Sequence, residues 1–342
     1  MKKLHRAAAL VVTAAIFYLL FRRIPIARLL SALQRADYTV FLAAMIPNTL
    51  FYFFWDTLVL TAAVRWFHAP VRYFELLPAR AASYVVGFFN TNAGRGTLAF
   101  HLARRLQAPF LQLGSTVLFL VLSEYLHLVA WATIGILQIR SEVARELLWG
   151  PPLVAAVWLA VFTYSRLTPA SPAIGEGHRA GPLAPILRVV LAPRGWALMR
   201  TFRLAPAGRY VQIILLRAPM FFVSLCLHYV AARAFGLSLP LLALVAFLPV
   251  VFMIAALPIT VARLGTTQAA WVFFFGAYAD SPTLLAFSLA AHLTFAATRA
   301  LLGVAFLPWA YADLTIARGP QSAIRSPEPA SNSSSVASPS NP

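Results

Sequence analysis

Six long apolar runs constrain this chain more than any other feature. Several of them reach the roughly 20 residues that an α-helix needs to cross a hydrocarbon core about 30 Å thick. The runs are continuous rather than alternating, so they predict helices and not the strands of a barrel. The candidate spans lie at about residues 5–21, 38–66, 109–138, 147–164, 208–235 and 283–311.

The composition also indicates a membrane protein. Of the 342 residues, 61% are hydrophobic and 11% are charged, whereas a soluble domain has roughly half and a quarter. We therefore predict an all-α fold, a polytopic membrane helix bundle whose full spans are those six runs. The single cysteine, Cys226, excludes an intramolecular disulfide and a cysteine-rich metal site.

The formal charge of +18 comes mostly from short loops beside the apolar runs. This distribution suits cytoplasmic loops and anionic lipid headgroups, so nucleic acid is not an expected partner. A cytoplasmic N-terminus places the loop with Arg65, Arg72 and Arg80 on the same side. We predict a multi-pass protein of the cell membrane with both termini in the cytoplasm. Positively charged loops usually face the cytoplasm. The segment between Arg22 and Arg35 is the exception, because this topology places it on the outer side.

Residues 1–316 are predicted to form one integral membrane domain. Residues 22–37 read as an amphipathic helix at the interface. Residues 165–207 hold six Pro and six Arg against one acid, which predicts a cytoplasmic linker. Residues 317–342 are rich in Ser, Pro and Asn, and are predicted to be a disordered tail.

Two regions, 76–107 and 240–280, are apolar but interrupted by Gly, Pro and Arg. The first contains "AGRGT" at 93–97 and the second "ARLGT" at 262–266. In the predicted topology the first region forms a hairpin that enters the membrane from the cytoplasmic side, and the second forms a hairpin that enters from the outer side. Broken segments at corresponding places in oppositely oriented halves are typical of transporter substrate sites. We predict two broken or re-entrant hairpins in an inverted repeat; a pair of ordinary kinked helices is the alternative.

Interrupted backbone at membrane depth is tolerated where it is buried in protein or lines a wet cavity. A helix that restarts at Gly96 or Gly265 directs free N–H groups and the positive end of its dipole at that cavity. Arg95, Arg104, Arg105 and Arg263 add positive charge. The two segments therefore predict a site for a phosphate-bearing headgroup.

Several ionisable residues fall inside the predicted spans, where an unpaired charge is costly. Glu124 and His127 are three apart on one helical face. Asp56 and Arg217 lie deep, and Arg217 is a candidate partner for either acid, while Arg299 lies in the last span. These five residues are predicted to balance charge, either as ion pairs between helices or in transport.

The chain carries no motif that predicts catalysis. It has no Gly-x-Ser-x-Gly elbow, no His-Glu-x-x-His and no Walker loop. Glu124-x-x-His127 has no second copy, as a di-iron bundle would require. We expect no metal and no cofactor. An enzyme is the less favoured interpretation, and a substrate-assisted or base-only enzyme is the alternative.

The stretch "FFNTNAGRGTLAFHLARRLQAPFLQLGSTVLFLVLSEYLHL" at 88–128 resembles the flippase-like transmembrane domain of the lysylphosphatidylglycerol synthase family. That family carries an Asn, then Gly-x-Gly-Glu, a following Arg, and Glu-Arg-x-x-Asp about thirty residues on. "LPITVARLGTTQAAW" at 257–271 resembles its second signature, Leu-Pro followed by Gly-x-Gly-x-x-Glu. The similarity covers about residues 5–310. The aminoacyl-transferase domain of the full-length synthases is missing, so aminoacyl-lipid synthesis is not expected.

The resemblance implies binding and translocation of a phosphate-containing lipid. Thr97 and Gln268 stand where the family usually has Glu, which makes an aminoacylated lipid a less suitable substrate. The implied partners are anionic phospholipids or polyprenyl-phosphate-linked lipids, with a second copy or a separate lipid-modifying enzyme as further candidates. The alternatives are a membrane-embedded transferase for a lipid-linked donor and a non-transporting partner subunit. The candidate substrate-binding residues are Asn90, Asn92, Gly94, Arg95, Gly96, Thr97, His101, Arg104, Arg263, Gly265, Thr266 and Gln268.

Overall fold

The computed structural model describes residues 2–139, 149–166, 197–256 and 264–316. Within these ranges every regular element is a helix, which confirms the all-α prediction. The helices are α1 (Lys2–Arg23), α2 (Ile26–Arg35), α3 (Tyr38–Phe67), α4 (Tyr73–Phe89), α5 (Thr91–Arg105), α6 (Phe110–Gln138), α7 (Gly150–Arg166), α8 (Arg200–Leu204), α9 (Ala207–Arg233), α10 (Leu241–Ala255), α11 (Thr266–Phe275) and α12 (Ser281–Ile316).

Four of the described helices are long and apolar enough to cross a membrane. They are α3, α6, α9 and the part of α12 from Ser281 to Ala305. Each has at least 25 residues, and at 1.5 Å per residue such a helix exceeds the thickness of the hydrocarbon core. The predicted spans at 5–21 and 147–164 are also helical, as α1 and α7.

The helix contacts occur in corresponding pairs. Helix α4 packs on α12, and α10 packs on α6; α5 contacts α6, and α11 contacts α12. The short α2 packs on α12, and the short α8 packs on α6. Helices α3 and α9 pack on each other. The helices α2–α6 therefore correspond, in chain order, to the helices α8–α12. Exchanging the two sets turns each of these contacts into another of them, and the contact of α3 with α9 into itself.

Glycines allow the closest of these approaches. A Cβ on Gly135 in α6 would lie 2.4 Å from the Cα of Ala246 in α10. A Cβ on Gly303 in α12 would lie 2.9 Å from the backbone oxygen of Ala81 in α4. Small residues let helix backbones approach and pack where water cannot drive association.

The first hairpin breaks at Asn90, between α4 and α5. The side-chain oxygen of Asn90 accepts a hydrogen bond of 2.9 Å from the backbone N–H of Ala93, which satisfies one of the free donors of α5. The predicted restart at Gly96 is therefore wrong, because Gly96 lies inside α5. Gly94 instead serves packing, since a Cβ there would lie 2.6 Å from the backbone oxygen of Ser83.

The second hairpin restarts at the predicted glycine. Gly265 has a φ of +92°, which favours glycine, and α11 begins at the next residue. The side-chain oxygen of Gln268 accepts a 2.7 Å hydrogen bond from the N–H of Gly265. Residues 257–263, with Arg263, lie outside the described residues.

The predicted linker is packed against the bundle at its C-terminal end, where Thr201 and Phe202 are fully buried. Thr116 on α6 contacts the hydroxyl of Thr201 at 2.9 Å and Nε2 of His68 at 2.7 Å. Burial, and after it the charge of Arg200, lower the pKa of His68 to about 4, so this ring is neutral at pH 7. Residues 167–196 and the predicted tail lie outside the described residues.

Candidate functional site

A cavity of about 330 Å³ lies between the helices, and both broken hairpins line it. Gly94 and Arg95 contribute from the start of α5, and Leu264 and Thr267 contribute from the start of α11. Helices α3, α6, α9 and α12 supply most of the remaining wall. The two segments that the sequence singled out therefore share one cavity.

The charged lining of this cavity is predominantly positive. Among the described residues, four arginines against two carboxylates leave a formal excess of two positive charges. The cavity lies among four apolar helices, where Coulomb forces are less screened than in water. The six charged side chains are Arg80, Arg95, Arg217, Arg299, Asp56 and Glu124.

Asp56 on α3 lies between two of these arginines. Its Oδ2 forms an ion pair with Arg80 on α4, and its Oδ1 lies 3.6 Å from Nη1 of Arg217 on α9. Arg217 also donates a 3.1 Å hydrogen bond to the backbone oxygen of Leu120 on α6. One carboxylate thus offsets part of two positive charges, of which Arg217 is buried at 3% exposure and Arg80 is partly buried; Asp56 itself is 4% exposed.

Glu124 and His127 on α6 both face the cavity, and each has a partner. The hydroxyl of Tyr52 donates to Oε1 of Glu124 at 2.9 Å. The indole N–H of Trp131 donates to Nε2 of His127 at 3.0 Å, so a neutral His127 carries its proton on Nδ1. The described residues contain no group of three or more His, Cys, Asp or Glu placed to hold a metal ion.

Two guanidinium groups lie over the ring of Tyr84 on α4. The Cζ of Arg299 lies 3.6 Å from its ring centroid, and the Cζ of Arg80 lies 5.2 Å from it. The buried hydroxyl of Tyr84 has no hydrogen-bond partner among the described residues, and neither do the Nε atoms of Arg80, Arg217 and Arg299. Buried donors are nearly always satisfied in folded proteins, so these are the groups that a hydrogen-bond acceptor in the cavity would meet.

The sequence was also compared with protein families and with curated proteins. The family model described as the lysylphosphatidylglycerol synthase TM region matches residues 6–303. The chain belongs to this family. It is thus a helical membrane protein related to lipid modification or translocation, which confirms the resemblance drawn from its motifs. The sequence matches none of the curated proteins with which it was compared.

Most predicted residues of the first family signature do not line the cavity. Gly94 and Arg95 line it, and Nη1 of Arg95 donates to Asn92 at 3.3 Å. The hydroxyl of Thr97 donates to the backbone of its own helix. His101 is buried, while Arg104 is exposed and lies over the ring of Phe100. The remaining members have local roles: Asn90 caps α5, and Gly96 lies within it.

In the second family signature, the residues that line the cavity are not those that were predicted to bind substrate. Leu264 and Thr267 line the cavity, whereas Gly265, Thr266 and Gln268 do not. Gln268 is buried and caps its own helix through its side-chain oxygen. Its role is therefore local, because it fixes the start of α11.

Arg80 and Tyr84 are cavity residues that sequence reasoning missed. The prediction that Arg80 belongs to a cytoplasmic loop is wrong, because Arg80 lies on α4. A signal was present, since Arg80 and Tyr84 are four apart in an apolar segment and a helix places such residues on one face. A buried positive charge on that face needs a carboxylate on another span, and Asp56 supplies it.

Proposed function

We propose that this protein binds the phosphate-bearing headgroup of an anionic lipid, or of a lipid-linked intermediate, in the cavity and carries it across the cell membrane. One observation carries the proposal: four arginines and both broken hairpins line a single cavity. Membership of a lipid-related membrane family supports it independently.

A phosphate complements this lining. Phosphate oxygens accept hydrogen bonds from arginine in the geometry of its guanidinium fork. The buried Nε atoms and the Tyr84 hydroxyl lack such acceptors in the part of the chain that the structure describes. A hydrogen bond to a charged group contributes about 1.5–3 kcal/mol. Several such bonds would offset the cost of removing a headgroup from water.

We further propose that the two sets of helices, α2–α6 and α8–α12, are inverted repeats. The corresponding contacts support this, because α4 on α12 and α10 on α6 are equivalent under an exchange of the sets. The hairpins would then enter from opposite faces of the membrane and meet at the cavity. Rocking of one set against the other would expose the cavity to each side in turn.

A vesicle assay tests the function. The purified full chain is placed in phosphatidylcholine vesicles with a tracer of fluorescent phosphatidylglycerol, and the rate at which the tracer becomes accessible from outside is measured. We expect Arg95→Gln and Arg299→Gln to lower that rate about tenfold, the effect of losing about 1.4 kcal/mol of interaction with the headgroup.

The matched control is Arg28→Gln, which removes one positive charge from the exposed surface of α2, outside the cavity. Its effect should be much smaller. A folded wild-type protein that moves no tracer above the rate of empty vesicles would overturn the transport proposal. Equal effects of all three substitutions would overturn the placement of the site.

A further inference from the structure

We propose that the cavity selects lipids whose headgroup carries phosphate and hydroxyl groups but no cationic group, and that it excludes aminoacylated lipids. This inference rests on the proposed function and names the class of lipid that the site takes. It excludes lysylphosphatidylglycerol, the lipid named in the description of the family.

Both described carboxylates of the cavity are already engaged. Asp56 is shared by Arg80 and Arg217. Glu124 accepts a hydrogen bond from Tyr52 at 2.9 Å. An ammonium group that leaves water for a cavity among apolar helices needs an anionic partner. Asp56 could provide one only by releasing Arg217, which is buried, and Arg80, which is partly buried. Glu124 keeps one oxygen on Tyr52 and shares the lining with four arginines, so it is not free for a cation either.

The surrounding charge makes a cationic headgroup still less favourable. The described lining has two more positive than negative charges. Phosphatidylglycerol has one negative charge and is attracted, whereas two amino groups on its lysyl ester make the ester positive and repelled.

The neutral polar residues of the cavity suit hydroxyl groups. Nδ1 of His228 donates to the backbone oxygen of Ser224 at 2.7 Å, so in the neutral ring Nε2 is an acceptor. The ring of His228 is stacked on Trp271 at a centroid distance of 6.4 Å. Ser288 and Asn48 add further neutral donors and acceptors to the lining. Hydroxyls both donate and accept, so a glycerol or sugar headgroup can use these residues without a charge.

Competition between lipids tests the proposal. The full chain in detergent is mixed with equimolar phosphatidylglycerol, its lysyl ester and phosphatidylethanolamine, and the bound lipids are counted by native mass spectrometry. We expect phosphatidylglycerol adducts to exceed lysyl-ester adducts at least about tenfold, a difference of about 1.4 kcal/mol. Phosphatidylethanolamine, which has both phosphate and ammonium, should also bind less than phosphatidylglycerol.

A charge change in the lining should alter the ratio of phosphatidylglycerol adducts to lysyl-ester adducts. Asn48 is buried and lines the cavity, and Asn48→Asp adds a carboxylate of nearly the same shape. We expect Asn48→Asp to lower the preference for phosphatidylglycerol several-fold. Gln112→Glu adds the same charge on α6 outside the lining and should leave the ratio unchanged.

The outcomes separate this inference from the proposed function. Equal or preferred binding of the lysyl ester to the wild type overturns the inference alone, because a phosphate-bearing lipid still binds. Absence of binding by all three lipids counts against the proposed function itself. An unchanged ratio in folded Asn48→Asp protein would contradict the electrostatic reason, and the wild-type competition decides the proposal if that variant does not fold.

Discussion

Asp56 is the residue on which the charge arrangement of the cavity depends. It is buried and holds Arg80 and Arg217, which come from two other helices. Taken alone, each of these groups would be costly in an apolar bundle, and the cost falls only when they lie together. The ion pairs therefore fix the positions of α4 and α9 relative to α3 as well as the charge of the site.

We predict that Asp56→Asn destabilises the protein by about 3–5 kcal/mol, because it leaves buried Arg217 and partly buried Arg80 without their counter-ion. Thermal unfolding of the purified protein in detergent measures this. Asp37→Asn is the control. The Asp37 carboxylate caps α3 by accepting hydrogen bonds from the backbone N–H groups of Thr39 and Val40, and Asn caps a helix equally well. Similar unfolding temperatures for the two variants would contradict the buried ion pairs.

At the scale of elements, the hairpin of α4 and α5 depends on the close approach of the two helices. Gly94 faces Gly87 and Ser83 so closely that a Cβ on Gly94 would meet only backbone atoms, at 2.6–2.9 Å. Gly96 lies on the same helix, and a Cβ there would meet nothing within 4 Å. Two glycines of one motif thus have different physical reasons to be present.

These two glycines give a matched pair of substitutions. Gly94→Ala should destabilise the protein by about 1–3 kcal/mol, because backbone cannot move aside as a flexible side chain can. Gly96→Ala should be neutral or stabilise by up to about 1 kcal/mol, since alanine favours a helix more than glycine does. Thermal unfolding in detergent compares them. A larger loss for Gly96→Ala would mean that α4 and α5 do not pack in this way.

At the scale of the whole molecule, the corresponding contacts of α2–α6 and α8–α12 are the basis for proposing inverted halves. If the halves are inverted, the connection after α3 and the connection after α9 lie on opposite faces of the membrane. Pro70 and Ser238 are exposed residues in these two connections. Their positions therefore test the orientation of the halves directly.

We predict that Pro70→Cys reacts with a membrane-impermeant maleimide from one side only and Ser238→Cys from the opposite side only. The background is Cys226→Ser, which removes the single native thiol and serves as the unlabelled control. Intact cells and inverted membrane vesicles provide the two directions of access. Labelling of both cysteines from the same side would refute the inverted arrangement.

Sequence by itself determined the long apolar helices, the presence of two broken regions and the family. The helices follow from the length of continuous apolar runs, which is a local property, and α6 begins and ends within a residue of the predicted run at 109–138. The restart after Gly265 was equally local, because a positive φ favours glycine. The family followed from short motifs that can be read in the chain itself.

Only the tertiary structure decided which charges meet and which residues line the cavity. Arg80 and Asp56 are far apart in the chain, and their pairing depends on how α3 and α4 pack. Arg104 belongs to the same motif as Arg95 but does not line the cavity, since a side chain's direction depends on its position around the helix. The order of residues sets the local conformation, whereas a binding site depends on distances between helices, which packing alone determines.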